Sequence, residues 1–445
     1  MYDIIVIGGG IAGIYTVYKI HQKNPKTRVL LIEKYGQLGG RIHTFRFPGD
    51  RDVTVEAGAG RINGSHPLTM DLIRELGLGK KLRPISGDVV FRPANFQGGV
   101  LSSVSDAPQR PHPLVNNAID LALGPKTLPN AGLILHLVVA SKGYSKTYLQ
   151  NHTLTQFAEK VLTKEQVEFI KRSFGYYSEL VIMNAYDAIK LLNSLGPSNV
   201  FYGLSGGLDQ IIDKMVDAIK RNSHITILIR KEVSKIVYRE PGFEVYVDAQ
   251  KYEGSTCICA LPKNALKKFA IFKPVRPLLD KVECGTLCRI YSQFDPDPKT
   301  GKVWFDGLDK FTTDNDLRMV IPVSAKEGTI MISYSDNIYA DKWQKMYERR
   351  GMRAVNTKLR EDMLESVGKW IPLPKRTQIF YWDCGVGYWG VGADSQKIAK
   401  KMVRPFCPMP LYVCGENFSE NGQQWIEGAL ETAYTMLQQI RTIGP

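Results

Sequence analysis

The chain opens with a short apolar segment that runs directly into a glycine-rich turn. Residues 3–7 have the character of a β-strand, the turn reads Gly8-x-Gly10-x-x-Gly13, and apolar residues at helical spacing follow it. Gly8 permits the tight turn, Gly10 lets the backbone approach a pyrophosphate, and Gly13 lets helix and strand pack closely. The N-terminus of such a helix also offers free N–H groups and a positive dipole end to phosphate. This stretch therefore predicts the start of a dinucleotide-binding β-α-β unit.

The second strand of that unit ends in an acidic residue. Residues 28–32 are largely apolar, and Glu33 follows them, 20 residues beyond Gly13. An acidic side chain at this point accepts hydrogen bonds from ribose hydroxyls and disfavours a 2′-phosphate. A glycine-rich turn alone is common in proteins without a nucleotide, but the strand, turn, helix, strand and acid together predict a dinucleotide site.

Further glycine-rich segments indicate which dinucleotide is bound. Gly-Gly-Arg occupies residues 39–41, a strand with a Gly-Ala-Gly-Arg turn spans residues 53–61, and a strand followed by Gly-Glu-Asn spans residues 411–417. A nicotinamide cofactor needs no second glycine-rich loop, whereas the long ribityl chain of a flavin runs deep into a protein. Together with residues 422–433, these motifs resemble the flavin-containing amine oxidase superfamily, which includes monoamine, polyamine and L-amino acid oxidases. The resemblance covers nearly the whole chain and is weakest between about residues 80 and 195.

The resemblance implies an α/β fold in which a FAD-binding Rossmann-like domain is joined to a second, α+β substrate domain, both of them discontinuous in sequence. We expect residues 1–65, 200–262 and 395–445 to form the FAD-binding domain. The substrate domain would take residues 66–199 as its helical part and residues 263–394 as its sheet part. Two domains also suit the length of 445 residues, which exceeds what one core usually holds.

Local patterns predict several elements within this division. Residues 113–195 are expected to be mostly helical, with a capping box at Thr163-x-x-Gln166, and further helices are expected at 208–219 and 338–366. Strands are expected at 225–229, 232–238, 243–247 and 256–261.

The resemblance also implies which residues contact FAD. The glycine-rich turn would hold the pyrophosphate, Glu33 the adenosine ribose and the backbone of Val233 the adenine, while Arg41 would neutralise phosphate charge. Glu416 would accept a ribityl hydroxyl, with a carboxylate that has no ligand role as the alternative. The helix that begins near Trp425 would direct its N-terminus at the flavin N1–C2=O region, where a helix dipole stabilises the anionic reduced flavin. The expected FAD-contacting residues are Gly8, Gly10, Ala12, Gly13, Glu33, Lys34, Gly40, Arg41, Gly58, Ala59, Gly60, Arg61, Val233, Trp382, Gly415, Glu416, Gln424, Trp425, Ile426 and Ala429.

Aromatic residues near the C-terminal part of the chain resemble the wall that flanks the flavin in amine oxidases. Trp382 is expected to pack on the flavin edge, and Tyr388 or Trp389 to face the substrate. The family's flavin-linking cysteine would fall near Tyr388 or Trp389, and the nearest thiol, Cys384, lies several residues earlier. We therefore expect FAD to be bound without a covalent link.

Arg61 is the main candidate for binding a substrate. It stands where the resemblance to L-amino acid oxidases places the arginine that binds the substrate carboxylate, and a guanidinium group suits a carboxylate because it donates two parallel hydrogen bonds. The alternative is that Arg61 pairs with a flavin phosphate or with a protein carboxylate such as Glu56. The expected substrate-binding residues are Arg61, Tyr388, Trp389 and Trp425.

One position departs from the family pattern. Residues 285–291 align with a family strand that carries a lysine, whose ammonium group holds a water against flavin N5, and here the position is Arg289. An arginine is always charged, is larger, and cannot serve as a tunable base. We therefore expect slow reaction of the reduced flavin with O2. The candidate catalytic residues are Arg289, Trp389 and Tyr388.

These motifs predict a FAD-dependent oxidoreductase that oxidises a primary amine or amino acid to the imine by hydride transfer to flavin N5, with O2 as the acceptor. A flavin desaturase or a protoporphyrinogen-oxidase-like enzyme is the alternative among enzymes, since neither needs the lysine. The contrasting class is a FAD-retaining binding or scaffold protein with a basic partner surface.

The composition limits which classes of binding partner and which cellular compartment the sequence allows. The formal net charge of +14 is compatible with a solvated basic surface or with attraction to nucleic acid or another anionic surface. The most apolar stretch, residues 131–140, is too short to span a bilayer, and no signal peptide is expected because the first strand starts at residue 2. The seven cysteines lack a disulfide or zinc spacing, which predicts free thiols and a reducing compartment. We expect a soluble cytoplasmic protein without a metal site, for which a dimer is compatible with these features.

Overall fold

The computed structural model describes residues 1–48, 50–85, 89–94, 131–194 and 200–440. In chain order its strands are β1 (Tyr2–Ile7), β2 (Val29–Ile32), β3 (Thr44–Phe47), β4 (Asp50–Glu56), β5 (Ile62–Asn63), β6 (Leu82–Pro84), β7 (Val89–Phe91), β8 (Phe201–Leu204), β9 (Ile225–Leu228), β10 (Val233–Arg239), β11 (Gly242–Val247), β12 (Gln250–Cys259), β13 (Val282–Gln293), β14 (Lys310–Thr312), β15 (Met319–Ser324), β16 (Thr329–Asp336), β17 (Arg376–Trp389) and β18 (Leu411–Val413). Its helices are α1 (Ile11–Lys23), α2 (Pro67–Glu75), α3 (Ala131–Ala140), α4 (Lys146–Gln150), α5 (Leu154–Val161), α6 (Lys164–Ser173), α7 (Ser178–Val181), α8 (Ala185–Ser194), α9 (Asp209–Ile219), α10 (Lys263–Leu266), α11 (Arg276–Leu279), α12 (Asn337–Val367), α13 (Ser395–Val403) and α14 (Ile426–Leu437).

The first sheet contains the strands that precede the glycines at residues 8, 39 and 415, whereas the Gly-Ala-Gly-Arg turn follows β4, which pairs with β3 in a separate two-stranded sheet. The strand order of the first sheet is β10-β11-β12-β1-β2-β9, and β18 pairs with β12. Strands β18, β12, β1, β2 and β9 run parallel, and β10–β12 form an antiparallel edge. Apolar side chains of α1, α9 and α14 cover one face, and those of α10, α11 and α13 cover the other. Because both faces are covered, β2 is a continuous buried apolar run, as is typical of parallel sheets.

The turn between β1 and α1 needs two of its glycines for steric reasons. Gly8 has a φ of 106°, and a Cβ on it would lie 2.3 Å from the Ala260 carbonyl oxygen. A Cβ on Gly13 would lie 1.9 Å from the Gly8 carbonyl oxygen, so any side chain there would push α1 away from the turn. The predicted β-α-β unit is thus present, with α1 packed directly on the turn.

A second sheet contains six strands. Its order is β17-β13-β16-β15-β14-β7, and its strands are antiparallel except for the β14–β7 pair. The long helix α12 packs its apolar side chains against this sheet and is interrupted at Gly351, whose φ is 69°. The first sheet, with helices on both faces, and this largely antiparallel second sheet confirm the predicted α/β class with an added α+β part.

Helices α3–α8 form a separate layer whose side chains make their own apolar cluster, which Tyr388 of β17 joins. The predicted capping box is present at the start of α6, where Thr163 Oγ1 accepts the Gln166 N–H and Gln166 Oε1 accepts the Thr163 N–H. Residues 113–130 of the predicted helical region lie outside the described residues.

Most of the predicted strands and helices are found within two residues of their expected bounds. The exception is β12, which begins at Gln250 rather than at residue 256. Its first part is polar because it pairs with β11 at the exposed edge of the sheet, so apolar periodicity reveals only the buried second part.

The prediction that all cysteines are free thiols is wrong. Cys284 of β13 and Cys384 of β17 form a disulfide between neighbouring strands, with their Cα atoms 4.8 Å apart. The two residues are 100 positions apart in sequence, so no local spacing indicates the pair. The remaining cysteines, Cys257, Cys259, Cys288, Cys407 and Cys414, are free.

The described residues contain neither a membrane-crossing helix nor a cluster of metal-binding side chains. In the part of the chain that the structure describes, no helix combines the length and apolar character that a membrane crossing requires. Within the same residues, no group of three or more His, Cys, Asp or Glu side chains is placed to hold a metal ion.

Candidate functional site

Three side chains of the second sheet reach the end of β4, next to the Gly-Ala-Gly-Arg turn. Trp382 Nε1 donates a hydrogen bond to the Ala57 carbonyl oxygen at 2.7 Å. Arg289 Nη1 and the Tyr291 hydroxyl both donate to the Glu56 carbonyl oxygen, at 2.9 and 2.8 Å. The start of the predicted flavin loop, residues 58–61, is therefore held against the second sheet.

Arg289 fills the space directly beside this loop. Its guanidinium group lies 4.7 Å from the centre of the Tyr334 ring, and a Cβ on Gly60 would lie only 2.6 Å from Arg289 Nη1. The side chain is buried, and its Nε has no hydrogen-bond partner among the described residues. The predicted catalytic residue thus lies next to the predicted flavin loop, with one donor still available.

Glu56 does not pair with Arg61. Its carboxylate accepts the Leu208 N–H at 2.8 Å and the Thr44 hydroxyl at 2.9 Å. Burial raises the pKa of Glu56 to about 7, although those two hydrogen bonds act in the opposite direction. Of the alternatives for Arg61, the pairing with Glu56 is therefore not seen.

Arg61 lies among three aromatic rings, which we call the aromatic cage: Tyr176, Phe201 and Trp425. The guanidinium carbon is 4.6 Å from the Phe201 ring centre, 5.4 Å from that of Trp425 and 5.9 Å from that of Tyr176. Arg61 Nη2 also donates to the Tyr176 hydroxyl at 3.2 Å. Among the described residues, no carboxylate forms an ion pair with this guanidinium group, and its direct contacts are ring faces and one phenol.

An acidic residue of the helical layer lies behind the aromatic cage. Glu179 of α7 is 7% exposed, and its carboxyl is influenced by Asp336, Arg61 and the Tyr388 phenol. Tyr176, three residues earlier, packs edge-to-face on Tyr334 with ring centres 5.7 Å apart. The site thus collects side chains from the helical layer, the second sheet and the flavin loop.

The structure separates the two adjacent aromatic residues at the end of β17. Tyr388 points into the helical layer towards Glu179, and burial raises its pKa well above the ordinary value. Trp389 packs in the cluster beneath the first sheet, where its indole N–H donates to the Ser419 carbonyl oxygen at 3.0 Å. Alternate residues of a strand face opposite sides, so only Tyr388 is brought towards Glu179.

Sequence reasoning missed four members of this site: Tyr176, Glu179, Phe201 and Tyr334. Two of them lie in the helical layer, where the family resemblance is weakest, and no motif identifies any of them. The only signal in the sequence is the Tyr-Tyr-Ser-Glu run at residues 176–179, in which polar groups follow an amphipathic helix.

The nucleotide end of the predicted site has the features that a pyrophosphate and a ribose require. A Cβ on Gly10 would meet no atom within 4 Å, so the turn leaves open space in front of the N-terminus of α1. Glu33 is buried at the end of β2 and accepts the N–H groups of Gly9 and Tyr35, both at 2.7 Å. This open turn before a helix N-terminus, with a fixed acid beside it, fits a dinucleotide.

The middle of the predicted flavin path is held by an ion pair. Arg41 Nη1 contacts Glu416 Oε1 and donates to the Gly385 carbonyl oxygen at 3.1 Å. Glu416 Oε2 accepts the Gln424 N–H at 2.9 Å, and this bond fixes Gln424 at a positive φ of 73° just before α14. Glu416 therefore positions Arg41 and the segment that leads into α14.

The remaining predicted FAD contacts are distributed along this path. Trp425 is the residue that precedes α14, and its own side chain makes no cap hydrogen bond, so the N–H groups of the first turn face out from the helix end. Val233 begins β10, and Lys34 pairs with Glu232 at 3.1 Å on the surface. The other residues lie within the three glycine-rich turns or the first turn of α1 or α14: Gly40, Gly58, Ala59, Gly415, Ala12, Ile426 and Ala429.

The fold and the site together define a two-part α/β protein with a dinucleotide-type turn and a site that joins side chains of the helical layer and the second sheet at the Gly-Ala-Gly-Arg turn. The family model of flavin containing amine oxidoreductases matches residues 11–440, so the chain belongs to this family, whose members contain a flavin. This family assignment places the chain among the oxidoreductases of the amine oxidase type.

Similar proteins agree with this assignment. Aplysianin-A of Aplysia kurodai is 21% identical over 98% of this chain and 89% of its own length. The flavin-dependent L-tryptophan oxidase RebO of Lentzea aerocolonigenes is 41% identical over a segment that covers 18% of this chain and 17% of its own. A solved structure of a putrescine oxidase double mutant has a TM-score of 0.76 at 14% identity over 98% of both chains, which is a likeness of fold.

Proposed function

We propose that the protein is a FAD-dependent oxidoreductase that oxidises the amine of an amino acid to the imine, with FAD bound non-covalently. The guanidinium group of Arg61 is the observation that supports an amino acid over a simple amine. It contacts aromatic rings and forms no ion pair with a protein carboxylate among the described residues. A partly buried guanidinium group without an anionic partner favours an anionic ligand, and the α-carboxylate of an amino acid is one. The primary amine without a carboxylate stays the second substrate class within the same chemistry.

The residues on the nucleotide side support FAD as the cofactor. Gly10 and the N-terminus of α1 would hold the pyrophosphate, Glu33 the ribose, and Arg41 and Glu416 would line the path to the flavin loop. Non-covalent binding is supported by the disulfide of Cys384, which leaves this cysteine no free thiol for a link. When bound, FAD supplies the acceptor for a hydride from the substrate's α-carbon.

The protein's own residues would bind and orient the substrate. Arg61 would hold the carboxylate, and the rings of Tyr176 and Trp425 would exclude water from one side of it. Tyr334 and Arg289 would close the side nearest the flavin loop. The electron acceptor that we propose is O2, with a slow reaction because Arg289 replaces the family lysine.

The cellular location remains a prediction. The cytoplasm was expected from the number and spacing of the cysteines, and the Cys284–Cys384 disulfide counts against a reducing compartment, because disulfides persist mainly under oxidising conditions.

The proposed function is tested with matched pairs of amino acids and the amines that lack their carboxylate, such as phenylalanine with phenethylamine and leucine with isoamylamine. The purified protein is mixed with each compound without oxygen, and the loss of the oxidised flavin absorption is followed in a stopped-flow instrument. We expect the amino acid of at least one pair to reduce the flavin faster than its amine. If every amine reduced the flavin faster than its amino acid, Arg61 would not be the residue that binds a substrate carboxylate. If no compound reduced the flavin, the proposed function would be contradicted.

A further inference from the structure

Glu179 and Asp362 are the two buried carboxyls of the described residues with an oxygen that lacks a hydrogen-bond partner, and of these two only Asp362 is paired with a cation, Lys358. Five buried acids accept hydrogen bonds from neighbouring donors: Glu33, Asp187, Asp336, Asp362 and Glu416. The carboxyl of Glu179 interacts with its own N–H and with the Tyr388 phenol, and its Oε2 has no hydrogen-bond partner among the described residues. A buried carboxyl oxygen without a hydrogen-bond donor is costly, so its persistence at a candidate site, without a cation paired to the carboxyl, points to a function.

The surroundings of Glu179 favour a cationic ligand. Asp336, its acidic neighbour, is satisfied by the N–H groups of Tyr177 and Ser178 at 2.9 and 2.7 Å and is also influenced by Arg318. No Lys or Arg of the described residues forms an ion pair with Glu179. The Glu179 carboxyl and the Arg61 guanidinium group influence each other electrostatically but form no ion pair, so each can take an oppositely charged group of a ligand.

A ligand that satisfies both groups carries an anion and a cation on neighbouring atoms. An α-amino acid is such a zwitterion, with its carboxylate suited to Arg61 and its ammonium group suited to Glu179. Hydride transfer from the α-carbon requires the amine to be neutral, because its nitrogen lone pair must form the C=N bond as the hydride leaves. A base beside the ammonium group is thus needed if the zwitterion is the form that binds.

We propose that Glu179 is the base that accepts the proton of the substrate ammonium group, an inference that rests on the proposed function. One N–H bond of the ammonium group breaks, and its proton forms an O–H bond with Glu179 Oε2. The substrate becomes the neutral amine and Glu179 becomes the neutral acid. The α-hydrogen then leaves with its electron pair for the flavin, and the nitrogen lone pair forms the iminium bond, so charges and electrons balance.

The electrostatics of the site suit this role. Burial, followed by the charge of Asp336, raises the pKa of Glu179 to about 8, while Arg61 and Tyr388 act to lower it. A base is most effective when its pKa lies near the working pH and near that of the group it deprotonates. Tyr176 and Tyr388 are neutral here, since burial raises the pKa of Tyr176 to about 12 and that of Tyr388 well above 10.

The test compares wild type with Glu179→Gln and Glu179→Asp, with Glu168→Gln as the control. Glu168 is an exposed glutamate in α6 of the same helical layer and pairs only with Lys171 at the surface, so its substitution removes the same charge. Each protein is loaded with FAD, and the rate constant of anaerobic flavin reduction by an amino acid, divided by its dissociation constant, is measured from about pH 7 to about pH 10. Flavin content and binding of benzoate, a carboxylate that cannot be oxidised, report whether each variant is folded.

Near pH 7 we expect this quantity to be about a hundredfold smaller in Glu179→Gln than in wild type, which is a typical contribution of a positioned base. The ratio of wild type to Glu179→Gln should fall towards one near pH 10, because free neutral amine is abundant there. Glu179→Asp should recover part of the rate, Glu168→Gln should match wild type, and benzoate binding should be kept in all. A ratio that does not change with pH would overturn the proposal and assign Glu179 a structural role. Wild type that is not reduced by any amino acid would instead refute the proposed function itself.

If Glu179→Gln fails to bind FAD, the pH dependence of Glu179→Asp against wild type decides the question. A slower rate at low pH that recovers at high pH would support the base, and an unchanged profile would contradict it.

Discussion

Substitution of Arg61 distinguishes most clearly between a role in ligand binding and a role in the stability of the fold. Its guanidinium group touches three rings and one phenol, and no described acid pairs with it. Replacing Arg61 with alanine therefore breaks no ion pair among the described residues, and a broken buried ion pair is the usual cause of losses of about 3–5 kcal/mol. Lost contacts with the rings and with the Tyr176 hydroxyl should lower the free energy of unfolding by only about 1–2 kcal/mol.

Ligand binding should suffer more than stability in the same variant. Removing one partner of a hydrogen-bonded charge pair costs about 2–5 kcal/mol, so the dissociation constant of a carboxylate ligand should rise by about thirtyfold or more. The assay titrates FAD-loaded protein with benzoate and follows the flavin absorption, while urea unfolding of the same samples gives the stability. Arg61→Lys should recover part of the affinity, because an ammonium group keeps the charge without the two parallel donors.

The control is Arg74→Ala, which removes an exposed arginine that pairs only with Asp71. It should change neither quantity by more than about 0.5 kcal/mol. Loss of FAD from Arg61→Ala, with unchanged benzoate affinity in the flavin-bound fraction, would refute the reasoning and assign Arg61 to the cofactor.

Three further predictions concern Arg289, the disulfide and Glu56. Arg289→Lys should speed the reoxidation of photoreduced enzyme by O2 about tenfold, or about 1.4 kcal/mol of barrier, and Arg289→Met should not; a slower Arg289→Lys would show that arginine is a working substitute. Denatured, non-reduced protein should show five free thiols rather than seven, and the Cys284→Ser, Cys384→Ser double variant should lose about 4–5 kcal/mol of unfolding free energy because the disulfide closes a loop of 100 residues; seven thiols would disprove the bond. Burial raises the pKa of Glu56 to about 7, so the folded state keeps a proton that the unfolded state loses near pH 4.5, and stability should fall as pH rises between these values. Glu56→Gln should remove up to about 3 kcal/mol of that fall, and an unchanged pH dependence of urea unfolding would contradict the assignment.

Local signals in the sequence are enough to predict the framework of the fold. The first strand, the glycine-rich turn and α1 are specified by neighbouring residues, because the positive φ of Gly8 and the close approach of Gly13 to the Gly8 carbonyl oxygen both lie within one β-α-β unit. The capping box at Thr163 and Gln166 is equally local, since the residues that satisfy the helix end are three positions apart. The α/β class follows from such units.

Contacts between distant segments could not be predicted in the same way. The aromatic cage joins residues 176, 201 and 425 around Arg61, and the disulfide joins residues 284 and 384. Each depends on how the two sheets and the helical layer are placed relative to one another. Glu179 belongs to no sequence motif, and what distinguishes it appears only in the structure, where its Oε2 has no hydrogen-bond partner among the described residues. The roles of the predicted FAD and substrate residues stay predictions until ligands are measured.

The flavin content of the purified protein tests the proposed FAD site most directly. The protein is precipitated with acid, and the flavin in the supernatant and in the pellet is identified and quantified against protein. We expect one FAD per chain in the supernatant and none in the pellet. Yellow colour that stays in the pellet would contradict non-covalent binding, and a colourless protein that takes up no added FAD would contradict the FAD site itself.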